Sequence, residues 1–104
     1  MYEITIDDMF DAAHCLRGYE GKCRQLHGHT YRTQVCFRAG DLEESGIAID
    51  FRGAKALLRD ILEYMDHQYM NELPEFLEQN PTAENIARLI YERVKDKMPQ
   101  VQRV

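Results

Sequence analysis

Apolar and polar residues alternate from the start of the chain: Tyr2, Ile4 and Ile6 fall on one row, Glu3 and Thr5 on the other. A period of two is the signature of a strand buried on one face. Asp7-Asp8 reads as an interruption, a bulge or a bend, after which Phe10, Ala12 and His14 resume the extended row. A loop holding Gly18 and Gly21 is predicted over Arg17 to Leu26. A second strand is predicted from about His27 to Phe37. It puts His29, Tyr31, Thr33, Val35 and Phe37 on one face, and Thr30, Arg32, Gln34, Cys36 and Arg38 on the other. Cys15 and Cys36 then read as packing residues.

After turns at Gly40-Asp41 and Ser45-Gly46 the period changes. Phe51, Ala54, Leu57, Leu58, Ile61, Leu62 and Met65 recur at three- and four-residue steps, the apolar stripe of an amphipathic helix. Asp50 is a suitable N-cap for it, and Asp66-His67 lies at or just past its end. Asn71 to Pro81 reads as a connection punctuated by Pro74 and Pro81. A second helix starts near Thr82, its N-cap, buries Ile86, Ile90 and Val94, and stops at Pro99. Gln100 to Val104 reads as the start of a third strand. This order predicts an α+β domain with helices on one face of an antiparallel sheet.

With 104 residues the chain is read as one small domain. Its net charge of -5 argues against general nucleic-acid binding. No run approaches the roughly 18 apolar residues of a membrane span. The start Met1-Tyr2-Glu3-Ile4 has no secretory pattern, and Cys15, Cys23 and Cys36 form no C-x-x-C pair, so a reducing cytoplasm is expected. Arg17, Lys22 and Arg24 crowd the first loop against Glu20 alone, either as a solvated loop or as an anion-attracting rim.

The candidate chemistry is concentrated in that same region. His27 and His29 are two apart, so an extended strand sends both imidazoles to one face. An antiparallel neighbour carrying His14 brings a third nitrogen within reach, and Gly28 between the pair would allow close backbone approach. Three imidazoles with an open position are a common catalytic zinc composition, and they favour zinc over magnesium or calcium. Cys23 has three readings: a fourth ligand closing a structural site, a thiolate base held near the metal, or an inert thiol. Asp66-His67 is either a helix-end histidine or an acid–base pair in which the aspartate orients an imidazole.

Taken together, Phe10-Asp11-Ala12-Ala13-His14, Cys23-x-x-x-His27-Gly28-His29, Ile49-Asp50-Phe51, Met65 to Asn71 and Asn80-Pro81-Thr82-Ala83-Glu84-Asn85 occur in an order that resembles the 6-pyruvoyltetrahydropterin / 6-carboxytetrahydropterin synthase family. The short Cys-x-x-x-His-Gly-His spacing looks closer to the bacterial 6-carboxytetrahydropterin synthases of the queuosine pathway. The resemblance implies the tunnelling fold, a four-stranded antiparallel sheet with two helices on one face, assembled as a dimer of trimers. It implies zinc on His14, His27 and His29, Cys23 as catalytic base, Asp66 and His67 completing proton transfer, and pterin contact at Thr82. It implies a substrate, 7,8-dihydroneopterin triphosphate, and no nucleic-acid or membrane partner. It also implies a pterin-anchoring glutamate and a fourth strand after the third, for which no residue stands before Val104.

Overall fold

The computed structural model describes residues 1–21 and 24–104. Strands β1 (Tyr2–His14) and β2 (His27–Ala39) pair antiparallel in unbroken register from Tyr2↔Ala39 to His14↔His27. The expected interruption at Asp7-Asp8 is therefore corrected: Asp7 pairs with Gln34 and Asp8 with Thr33. The reason lies outside the strand. Asp8 occupies an inward slot, where an unpaired carboxylate would be costly. Arg59 reaches it from the following helix, with Nη1 3.1 Å from Oδ1.

The inward row, Ile6, Phe10 and Ala12 with Val35 and Phe37, forms the sheet side of the core. Helices α1 (Phe51–Glu63) and α2 (Ala83–Lys97) supply the other side through Ala54, Leu58, Ile61 and Leu62 and through Ile86, Ile90 and Val94. Both predicted caps form: the Asp50 side chain accepts from the Arg52 N–H, and Thr82 from the Asn85 N–H. Phe51 departs from the predicted stripe. As the first helical residue it lies at the rim of a cleft with Tyr2, Leu42 and Ile47 and is 54% exposed. Met65 lies past the helix end but is fully buried.

The connection before α2 holds two single-turn 3-10 segments, Met70–Glu72 and Pro74–Phe76. Strand β3 (Val101–Arg103) adds to β2, which gives the order β1-β2-β3. The α+β architecture with two helices against an antiparallel sheet is thus as expected. Among the described residues no helix is long and apolar enough to cross a membrane. The molecule measures 52 × 21 × 20 Å, because the long β1–β2 hairpin sets its main axis. The histidine end of that hairpin is about 40 Å from the Tyr2–Ala39 end at the usual rise per residue.

Candidate functional site

The β1–β2 register builds the histidine cluster directly. His14 sits opposite His27, and Ala12 opposite His29, so all three imidazoles leave the core-facing side of one sheet end. Their nearest ring nitrogens lie within 4.8 Å of one another. The ring centroids are 4.5 Å apart for His14–His27, 4.6 Å for His27–His29 and 5.2 Å for His14–His29.

Two carbonyls decide what the nitrogens can do. His14 Nδ1 lies 2.7 Å from the Pro81 carbonyl oxygen, and His27 Nδ1 lies 2.7 Å from that of Gln25. A carbonyl only accepts, so each Nδ1 carries the hydrogen and donates it. In the neutral rings each Nε2 then presents a lone pair, and these two nitrogens face each other at 2.9 Å. Facing lone pairs repel unless a cation lies between or just above them. Two ligands on a tetrahedral zinc stand roughly 3.3 Å apart, so little adjustment is needed to hold one. Burial, the largest influence, holds the His14 pKa below 6.5; the Pro81 hydrogen bond opposes this, and the neighbouring imidazoles add to it. A neutral, tautomer-defined imidazole is the form that binds metal. The group of buried His14, half-buried His27 and exposed His29 could therefore hold a metal ion.

Asp66 and His67 lie elsewhere. Helix α1 has ended at Glu63, so His67 is not a helix-terminal residue. Its φ of 57° is left-handed, a region where histidine is several-fold enriched among non-glycine residues. The bend lets the segment grip the backbone at the edge of β1. The His67 N–H donates to the Asp11 carbonyl at 2.6 Å, and Asp66 Oδ1 accepts from the Asp11 N–H at 2.9 Å. Asp66 Oδ2 stands 3.0 Å from His67 Nδ1. The Asp11 N–H bond first, and His67 second, hold the Asp66 carboxyl below the usual aspartate range.

This pair gathers with Asp11, whose carboxylate accepts the Thr30 hydroxyl. Asp11 and Thr30 alternate with Phe10, Ala12, His29 and Tyr31, so they occupy the opposite face of the sheet from the imidazole cluster. There Asp11, Ala13, Gly28, Thr30, His67 and Tyr69 help line a cavity of about 520 Å³. A Cβ on Gly28 would meet only the Ala12 carbonyl, at an ordinary 3.7 Å. Strand pairing therefore does not require the glycine; it leaves the cavity floor open.

Cys23 and Lys22 lie outside the described residues. Of the proposed cationic rim, Arg17 directs Nη2 to the Phe76 carbonyl, whereas Arg24 is exposed. Thr82 caps α2 and directly follows Pro81, the residue that holds His14. Sequence reasoning missed four contributors. Tyr31 stacks on Phe10 at 5.0 Å and places its hydroxyl 3.2 Å from His14 Nδ1; burial pushes its pKa up to about 12. Pro81, which the sequence marks as punctuation and as part of the Asn80–Asn85 motif, supplies the carbonyl that holds His14 Nδ1. Asn71 and Asn80 each clamp the backbone beyond His14, Asn71 at Cys15 and Asn80 at Arg17. Nothing in an isolated asparagine reveals a partner 56 or 63 residues away; only its place in the family-like motif marked it.

Comparison with known proteins gives a consistent result. The family described as 6-pyruvoyl tetrahydropterin synthase matches residues 3–104. A 6-carboxy-5,6,7,8-tetrahydropterin synthase of Haemophilus influenzae is 36% identical, covering 91% of this chain and 83% of that protein. A dihydroneopterin monophosphate aldolase of Pyrococcus furiosus is 34% identical over 86% of this chain and 72% of its own length. The solved 6-pyruvoyl tetrahydropterin synthase of Caenorhabditis elegans superposes with a TM-score of 0.80 at 25% identity, covering 100% of this chain and 91% of that one. With the family matching residues 3–104 and the fold in agreement, the chain belongs to the 6-pyruvoyl tetrahydropterin synthase family.

Proposed function

We propose that the protein is a zinc-dependent carbon–carbon lyase that converts 7,8-dihydroneopterin triphosphate and one water to 6-carboxy-5,6,7,8-tetrahydropterin, releasing acetaldehyde and triphosphate in the route to queuosine. The observation that carries the metal part is the pair of Nε2 lone pairs facing each other at 2.9 Å, each set by a carbonyl on the far nitrogen. The carboxy product is favoured by relatives of that name, including the Haemophilus influenzae protein.

Zinc held by His14, His27 and His29 would supply Lewis-acid polarisation of the substrate's side-chain oxygens. Cys23, four residues before His27, is assigned the role of base that removes a proton from the side chain. His67 is assigned proton exchange through Nε2, with Asp66 Oδ2 3.0 Å from Nδ1 orienting the ring. Thr82 is assigned pterin contact. Because Asp66 and His67 face away from the imidazoles of their own chain, the reading has them serve a metal centre of another copy, within the homohexamer proposed for this protein. The compartment proposed is the cytoplasm.

The test is a product assay by mass spectrometry, with zinc-loaded protein given the triphosphate and, in parallel, the monophosphate of 7,8-dihydroneopterin. Formation of 6-carboxytetrahydropterin with acetaldehyde supports the proposal. A 6-pyruvoyl product with triphosphate alone replaces it by the second reading, which the structural match to the Caenorhabditis elegans synthase favours. Turnover confined to the monophosphate points to the activity named for the Pyrococcus furiosus relative. Zinc binding without turnover of either substrate leaves a non-catalytic zinc module.

A further inference from the structure

The metal-facing nitrogen of His14 depends on a hydrogen bond at the other end of its ring, and the acceptor comes from a segment with no regular structure. Pro81 lies between the second 3-10 turn and α2. Something must keep its carbonyl aimed at Nδ1.

The surrounding bonds identify it. The Asn80 side chain spans the backbone of Arg17: Oδ1 accepts from the Arg17 N–H at 2.9 Å, and Nδ2 donates to the Arg17 carbonyl at 2.8 Å. A side-chain amide used in this way copies a rung of a β-ladder and joins residue 80 to the chain just past His14. The Asn80 carbonyl is itself held, by Asn85 Nδ2 at 2.8 Å. The Asn85 N–H is in turn capped by Thr82 Oγ1 at 3.1 Å. Pro81 is thus held from both sides, by Asn80 before it and by the capped first turn of α2 after it. Its ring also removes one backbone rotation.

We propose that Asn80 is a positioning residue for the metal site: by fixing the Pro81 carbonyl against His14 Nδ1, it sets the His14 tautomer and frees Nε2 to face His27. The inference rests on reading the three histidines as a metal site. Its central claim, the tautomer, can nevertheless be measured with no metal present. Groups that orient a ligating histidine typically change metal affinity by about 10- to 100-fold when lost. Asn80 acts one bond further away, so the low end of that range applies.

The experiment records histidine ¹⁵N NMR spectra of the metal-free full chain at pH 8 and then measures zinc affinity by chelator competition. The absorption spectrum of the cobalt-loaded protein is taken alongside. Wild type should show His14 in the Nδ1–H form. Asn80→Ala should populate the Nε2–H form, weaken zinc binding about tenfold and alter the cobalt spectrum. Asn80→Asp keeps the acceptor for the Arg17 N–H but loses the donor to its carbonyl, so it should fall between the two; it also serves if the alanine variant does not fold. Val94→Ala, in the buried stripe of α2, supplies a comparable loss of stability away from the site. The proposal is overturned if the Asn80 variants keep the wild-type tautomer and affinity, or if Val94→Ala shifts both as much. If wild type shows the expected tautomer but takes up no zinc, the metal reading fails and the positioning of His14 stands.

Discussion

His14 and His67 place the same side chain in opposite settings. His14 is 6% exposed, its Nδ1 is bound to a carbonyl, and burial disfavours its charged form. The His67 side chain is 77% exposed, projects from a left-handed bend and has a carboxylate at Nδ1. A carbonyl partner helps hold a neutral ring in one tautomer. A carboxylate partner at Nδ1 orients an exposed ring. The two settings therefore distinguish a buried imidazole whose Nε2 electron pair is free to donate from an exposed imidazole held by a carboxylate, for which proton exchange is proposed.

The largest expected effect comes from removing the donor. His14→Ala should weaken zinc binding by more than about 100-fold, beyond the loss seen for groups that only orient a ligand, and abolish turnover. Equilibrium dialysis and the product assay check this; tight zinc binding by the variant would mean that the cluster is not the metal site. Chelation of the wild-type protein should likewise stop turnover. It should leave the far-ultraviolet circular dichroism unchanged, since a continuous apolar core joins sheet and helices without metal.

Removing the His67 imidazole should separate the two proposed functions. His67→Ala is expected to lower kcat between about 100- and 10,000-fold with bound zinc unchanged, read by stopped-time assays and metal analysis on the same sample. Equal loss of both would collapse the distinction.

Acid should distinguish the two sites as well. His14 has a folded-state pKa below its unfolded value of 6.5, so the folded protein holds fewer protons at this group. The associated stability is present above pH 6.5 and is lost as pH falls through the lower folded value. The metal-free wild type should lose more of its Tm between pH 8 and pH 5 than His14→Gln does. Asp66 also has a depressed folded pKa, from an unperturbed 3.8. Its contribution is present above that value and disappears in stronger acid. The Tm gap between wild type and Asp66→Asn should accordingly hold at neutral pH and close only below about pH 4; a gap that closed near pH 6 would assign it to another group.

The smallest effect is at the N-cap. Thr82→Ala should cost about 1 kcal/mol in denaturant unfolding, with Thr82→Ser close to wild type. A KM increase in the alanine variant but not the serine variant would add the proposed pterin contact to the cap.

The chain by itself determined the strands, the helices, their caps and the shared face of His27 and His29. Each of these follows from a period of two or near 3.6 and from residues whose preferences are local. It also carried a family signature from end to end. Tertiary structure alone decided what those periods cannot encode. Asp8 stays in register because Arg59 comes from another element. Phe51, in phase with the helix stripe, remains at the surface because it lies at the helix entrance. Asp66 and His67 turn away from the imidazoles because their bend is gripped by the backbone of Asp11, 55 residues earlier. The Pro81 carbonyl that sets the His14 tautomer is 67 residues distant. Periodicity reports which face a side chain takes; which distant backbone atom waits on that face is settled only when the layers pack.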